Sequence, residues 1–312
     1  MTSGLKTALR AAISVALLAV LLVNIDTSQV AAALLRTDLR WLGLAFLAAL
    51  AAWSMNTAKW QRLLATLGRR LPYGYLLALN FVGMFYSVLL PGQISGEVMK
   101  GIRLARGGAG AADAAVSIGA DRLTGLAGLG LIGIAGLLLA PRVPLSEAML
   151  WLAAAAVAAA SAPFLLRKLP LVDRLAAYAR SPGTLGLALA QALVFQVLVT
   201  LSNYLAALSV GVDIPLVALA WIVAAVSLVH LLPISLAGLG VREGAYVVLL
   251  QQYGVPAADG LALSLAVFGV IMAQALLGGV LELSWSGIGP RLLGRAAAGA
   301  PSPLRDSSLR SE

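Results

Sequence analysis

Six ionisable residues stand where charge is costly and where chemistry therefore has a reason to be. Glu97 and Lys100 follow the stretch Leu89-Leu90-Pro91-Gly92-Gln93-Ile94-Ser95-Gly96. Arg242 and Glu243 follow Leu231-Leu232-Pro233-Ile234-Ser235-Leu236-Ala237-Gly238-Leu239-Gly240, and Asp121 and Arg122 are adjacent within an apolar run. Proline removes a backbone donor and glycine unwinds at little steric cost, so each Pro/Gly stretch stops one helix and lets another begin. A helix that restarts there presents free N–H groups and the positive end of its dipole, an arrangement that binds anions and phosphate in particular. Ser95 and Ser235 add hydroxyl donors. Lys100 and Arg242 bring full positive charge near the two breaks, and Arg122 is a third cation that can converge on them. Arginine suits two-pronged phosphate contact, whereas lysine acts as a point charge. Glu97, Asp121 and Glu243 would orient these cations or exchange protons with them. The competing reading is structural: Glu97 and Lys100 at i,i+3, and the two adjacent acid–base pairs with outside partners, are ion pairs that lock helices. Lys100 can also snorkel to a membrane surface beside Arg103 and Arg106. His230 and Glu282 are secondary candidates, the first more in keeping with packing than with proton relay.

The elements that must position these residues follow from composition. Of 312 residues 61% are hydrophobic and 11% charged, with a mean hydropathy of +0.94. A water-soluble domain carries about a quarter charged residues, so this chain belongs in a bilayer. With no cysteine and one histidine, disulfides, iron–sulfur clusters and cysteine/histidine metal cages are excluded. Lys6, Lys59, Lys100 and Lys168 are the only lysines and none lies in a phosphate-binding P-loop, so ATP hydrolysis by this chain alone is not expected, nor is a cofactor.

A spanning helix needs about 20 mostly apolar residues. The stretches 8–25, 39–58, 114–140, 146–166, 184–210 and 256–287 meet that length, giving an all-α polytopic membrane protein with about six spans. The first is read as a retained helix, since no small-residue cleavage site follows it. Residues 72–90 with 97–106, and 215–232 with 241–252, read instead as two re-entrant helical hairpins. Residues 26–37 and 169–180 read as short interfacial helices. Gly128, Gly130, Gly133 and Gly136 read as helix-packing surfaces. The membrane-embedded unit is expected to occupy 1–288 as a single domain, with 289–312 a disordered tail.

Basic residues test the hairpins. If both return to the side they entered and the N-terminus is cytoplasmic, 17 of the 22 lysines and arginines are cytoplasmic, Lys59 and Lys100 among them. Arg36, Arg40 and Arg142 then lie outside, and Arg122 and Arg242 in or near the membrane. Full crossings would put the clusters at 100–106 and 167–180 outside, against the positive-inside rule. The net charge of +9 thus belongs to a cytoplasmic membrane face and does not argue for nucleic acid. Both termini are expected in the cytoplasm. The two hairpins also resemble copies: Leu-Leu-Pro, a glycine five residues on (Gly96, Gly238), a basic residue nine on (Lys100, Arg242), then Ala-Ala-Asp opening the next long helix (Asp113, Asp259). Paired breaks of opposite orientation mark an inverted repeat, with the binding site where the halves meet.

The segments NFVGMFYSVLLPGQISGEVMKGIRLARGG, AAVSIGADRLTGLAGL, LLPISLAGLGVREGAYVVLL and GVPAADGLALSL resemble the lysylphosphatidylglycerol synthase transmembrane-region family, also called flippase-like domain proteins. The resemblance covers nearly the whole chain, and the second hairpin is its most specific part. The family's first hairpin typically reads P-x-x-x-G-G-D-x-x-R; here Glu97 stands for the Asp and Lys100 for the Arg, which keeps charge but not bidentate geometry. Asp121-Arg122 stands for the family's Glu-Arg, and Arg242-Glu243 is intact. The resemblance implies an inner-membrane translocase for an anionic or aminoacylated phospholipid, or a polyprenyl-phosphate lipid. Larger members add a soluble synthase domain that these 312 residues do not include, so lipid synthesis is expected of a separate enzyme. Two other classes stay open: a membrane enzyme acting on a phospho-lipid, with carboxylates as bases, and a non-catalytic scaffold for a lipid-modifying enzyme or glycosyltransferase.

Overall fold

A computed structural model of the chain describes residues 23–90, 95–140, 180–231 and 240–285, with residues 12, 19–21, 177 and 178. The expected span at 146–166, most of the first span and of the interfacial segment at 169–180, and the tail lie outside the described residues, as do Pro91, Pro233, Ser235 and Gly238. Among the described residues the fold is entirely helical: α1 Thr27–Leu35, α2 Leu39–Thr66, α3 Tyr73–Leu89, α4 Ser95–Leu104, α5 Ala111–Leu139, α6 Pro182–Ser209, α7 Leu216–Leu231, α8 Val241–Gln251 and α9 Ala257–Leu283. A π-type turn, Ala105–Ala109, joins α4 to α5.

Local chemistry sets the boundaries. The Asp38 carboxylate caps α2 by accepting from the Arg40 N–H at 2.8 Å, and Pro182 sits in the first turn of α6, where its missing N–H costs nothing. Four of the helices (α2, α5, α6 and α9) are long and apolar enough to cross a membrane. At 1.5 Å per residue each runs about 40 Å, beyond the roughly 30 Å of a hydrocarbon core. In the two interrupted pairs, α3/α4 and α7/α8, the first helix of each is short and apolar.

Two ends of the bundle are fixed by contacts between distant residues. At the proximal end, where α2 finishes, Arg69 Nε reaches Asp113 Oδ2 of α5 at 2.7 Å and Arg69 Nη1 donates to the Gly108 carbonyl at 3.3 Å. At the distal end the Asp38 N–H donates to the Ser209 carbonyl at 2.8 Å, so α2 and α6 run antiparallel for their full length. Ser202 Oγ on the Ala45 carbonyl at 2.8 Å and Tyr178 Oη on the Leu63 carbonyl at 3.0 Å mark the same pairing along the way.

Helix α3 leaves the proximal end and α4 comes back to it. Ser95 Oγ donates to the Tyr86 carbonyl at 3.0 Å, and Tyr75 Oη to the Arg103 carbonyl at 3.0 Å. Between them Gly96 lies against Gly83 and Ser87 so closely that a side chain would overlap both. Helices α7 and α8 form the counterpart at the distal end: they pack on each other, and Trp221 Nε1 near the start of α7 donates to Tyr253 Oη just past α8 at 2.8 Å. Among the described residues the two interrupted helix pairs, the proximal and distal hairpins, thus have their outer ends at opposite ends of the bundle. Helix α9 serves both. Its first half packs on α8, with Gly260 against Val247, and its second half on α3, with Gly278 and Gly279 against Phe81 and Phe85. Because lipid tails compete equally well for apolar surface, such small-residue approaches carry much of the helix association in membranes. Gly128, Gly133 and Gly136 of α5 meet Ala192, Ala224 and the Trp221 backbone, as the sequence suggested; Gly130 has nothing within 4 Å and faces open space. Buried apolar side chains gather in a large core around Leu219, Trp221 and Ile222 by the distal hairpin and a smaller one around Trp60, Leu76 and Leu79 by the proximal one.

Candidate functional site

The first group of charges lies where α2, α4 and α5 meet. Asp121 and Arg122 are successive residues on α5, so their side chains leave the helix about 100° apart. Asp121 faces α2, where Lys59 Nζ lies 3.2 Å from Asp121 Oδ1 and donates to the Asp121 carbonyl at 3.1 Å. Arg122 faces α4, and its Nη2 lies 2.6 Å from Glu97 Oε1. Glu97 sits in the first turn of α4, a favourable place for a carboxylate beside the helix dipole. Lys100, one turn on, closes the group with Nζ 3.2 Å from Glu97 Oε2 and 4.6 Å from the Trp60 ring centroid. Gly83 makes room for it: a Cβ there would stand 2.6 Å from Lys100 Cδ.

Lys59 and Lys100 are both buried within the bundle, and Lys100 does not snorkel to a surface. Their side chains are 1% and 5% exposed, because each has a carboxylate partner within the bundle and burial is affordable only with one. Arg122 differs. Its side chain is 50% exposed, and Nη2 on Glu97 is its one bond to the described residues. Lys59, Lys100 and Arg122 against Glu97 and Asp121 leave the group with one excess positive charge. Ser95 is turned to the α3 backbone at the hairpin junction.

The second group belongs to the distal hairpin. Gly240, at a positive φ of 82° that favours glycine, donates its N–H to Glu243 Oε2 at 2.7 Å. The other oxygen of Glu243 pairs with Arg242 Nη2, and the guanidinium lies over the Phe268 ring at 4.5 Å. Arg242 and Glu243 are 7% and 2% exposed and, among the described residues, form an ion pair with each other. Arg242 Nε is buried without an acceptor among the described residues. One turn further Tyr246 Oη donates to Asn203 Oδ1 of α6 at 2.5 Å. No hydrogen bond or ion pair among the described residues joins Arg122 to Arg242.

Depth can be counted along the long helices. Arg122 is about 16 Å from the proximal start of α5, and Phe268, under Arg242, about 16 Å from the distal start of α9. Each group thus lies well inside the span, approached from opposite ends. A third group ties the proximal hairpin to α9: Glu282 Oε1 accepts from Tyr86 Oη at 2.8 Å and from Arg103 Nη2 at 2.5 Å, and Arg103 stacks on Trp285 at 4.5 Å. Among the described residues no three acidic or histidine side chains gather as metal ligands.

Sequence reasoning singled out Glu97, Lys100, Asp121, Arg122, Arg242 and Glu243, and the structure brings the first four into one group with Lys59 and Trp60, which it missed. The available signal was a lysine–tryptophan pair inside a helix otherwise rich in alanine and leucine. Arg103 as the partner of Glu282 carried no local signal at all.

Over residues 7–279 the chain matches the family described as the lysylphosphatidylglycerol synthase TM region, and it belongs to that family. No curated protein matches it.

Proposed function

From membership of that family we propose that the chain is a lipid translocase, moving an anionic or aminoacylated phospholipid or a polyprenyl-phosphate lipid between leaflets of the inner membrane. In this reading the two hairpins are re-entrant, dip from opposite faces and are related as an inverted repeat, with the proximal end and both termini cytoplasmic. Arg62, Arg69, Arg70 and Arg106 near the proximal end support that orientation.

The observation that carries the reading is Arg122. A guanidinium at that depth costs about 2.5–3.5 kcal/mol or more if it faces hydrocarbon. Half exposed and bonded to a single carboxylate oxygen, it calls for a polar hollow around it. Among the described residues its Nε and Nη1 make no hydrogen bond and would serve an anion, which the excess positive charge of the group would welcome. A lipid phosphate would sit on Arg122 while its tails stay in the bilayer, with Glu97 holding the guanidinium in place. Arg242 and Glu243, closed on each other, would keep the distal hairpin folded in this conformation and open to the headgroup only in another.

The test is a reconstituted assay of headgroup accessibility with fluorescent phosphatidylglycerol in vesicles, at matched protein density. Arg122→Gln should slow exchange between leaflets by about tenfold or more, the size of one lost charge-assisted hydrogen bond. An unchanged rate would remove Arg122, and with it this mode of action. Mass spectrometry of the recovered lipid should find its covalent structure unaltered; a modified product would favour a membrane enzyme instead.

A further inference from the structure

Resting on the reading of Arg122 as the anion-binding cation, we infer that Lys59 is the positioning residue that aims it. Lys59 and Trp60 are successive residues of α2, and together they engage both helices that hold the anion site. Lys59 grips α5 through both the carboxylate and the backbone carbonyl of Asp121. Trp60 supports α4, its ring lying beneath Lys100, and its indole N–H donates to Ser117 Oγ of α5 at 3.3 Å. Asp121 is the residue before Arg122, so fixing Asp121 on α2 fixes the rotation of α5 at that level and turns Arg122 toward Glu97.

The local shape of α5 fits this role. Thr124 Oγ1 also donates to the Asp121 carbonyl, at 3.1 Å. Gly125 lies beside the same contact: a Cβ built there would stand 3.6 Å from Lys59 Nζ, an ordinary van der Waals distance. A carbonyl that receives a buried ammonium and a hydroxyl, besides its place in the helix, is an anchoring point and not ordinary helix backbone. Helix locking in general does not need a charge here, since the neighbouring Leu63, Leu64 and Leu76 are fully buried apolar contacts. What the charged pair adds is a fixed angle: a point contact at hydrogen-bond distance resists rotation that a smooth apolar face would allow.

Neutralising both partners tests this without leaving a buried charge alone. Lys59→Met with Asp121→Asn keeps volume, and an apolar–polar replacement of a buried pair is often neutral for stability. The probe is phosphatidylglycerol with a fluorescent tail, titrated against purified protein in detergent micelles, with phosphatidylcholine as the neutral comparison. We expect the double variant to melt as wild type does but to lose about tenfold in preference for phosphatidylglycerol, because the guanidinium no longer stands in one geometry. Asp121→Glu, which keeps the charge and the partner, should retain the preference within about twofold on the same argument. A double variant that binds as wild type does, while Arg122→Gln does not, overturns the role of Lys59 and leaves the anion site standing. If wild type shows no preference, or Arg122→Gln keeps it, the reading of the site itself fails and this inference with it.

Discussion

Gly278 is the place where one added methyl should be felt most. On α9 it faces α3, and a Cβ built there would overlap the Phe81 carbonyl group and stand 3.1 Å from Phe85 Cβ. The obstacle is backbone, which cannot rotate aside as a flexible side chain can, so Gly278→Ala must push α3 and α9 apart. Overpacking of this kind costs about 1–3 kcal/mol. Alanine also gains about 1 kcal/mol over glycine in helix propensity, which would hide part of the loss. Gly130 on α5 supplies the control: it too is inside a long helix, but nothing lies within 4 Å of its Cβ position. Gly130→Ala takes the propensity gain without the collision. The difference between the two variants therefore isolates the steric term, about 1–3 kcal/mol or roughly 5- to 150-fold in the unfolding equilibrium. Titration from mild detergent into sodium dodecyl sulfate, followed by helical circular dichroism, measures it. Coincident midpoints for the two variants would refute the close α3–α9 crossing, and with it the claim that one helix seats both hairpins.

The remaining predictions concern the charge groups. Arg242→Gln should destabilise the protein by about 3–5 kcal/mol in the same titration, since it strands Glu243 as a buried, unpaired carboxylate. Restoration by a second change, Glu243→Gln, would locate the cost in that pair, and no restoration would place it elsewhere. Glu282→Gln removes the charge that holds both Arg103 and Tyr86. It should cost about 1–3 kcal/mol and raise protease access to the proximal hairpin in vesicles; unchanged access would mean that the hairpin is held on α9 by packing alone.

How much of this was legible in sequence depends on whether the determining physics is local. Hydropathy over a helix length and the stopping power of proline and glycine are local, so α5, α6 and α9 and the four helices of the two interrupted pairs stood within a few residues of where they were expected, whereas α2, expected over 39–58, runs on to Thr66. The short helix α1 was also foreseen. The identity of the chemically interesting residues was legible for the same reason: charge in an apolar run is conspicuous wherever it falls.

What sequence could not assign was partnership. Lys59 lies about 10 Å short of the proximal end of α2, with Gln61 and Arg62 after it, and a lysine so placed is equally suited to snorkelling or to burial. Only the rotation of α2 against α5 decides, and the contacts that join the two helices at this level, Lys59 on Asp121 and Trp60 on Ser117, exist only once they are packed. The Arg103–Glu282 pair joins residues 179 positions apart, and its existence depends on where α9 crosses α3. Likewise, Arg122 and Arg242 look equivalent on paper, each beside an acid. The fold makes one a half-exposed cation in a group with spare positive charge and the other a sealed pair, because exposure belongs to the assembled bundle and to no single helix. Sequence alone determined which residues carry charge and where most of the described helices form; the tertiary structure decided which of the charges within the apolar helices pair with one another and that Arg122 among them stays half exposed.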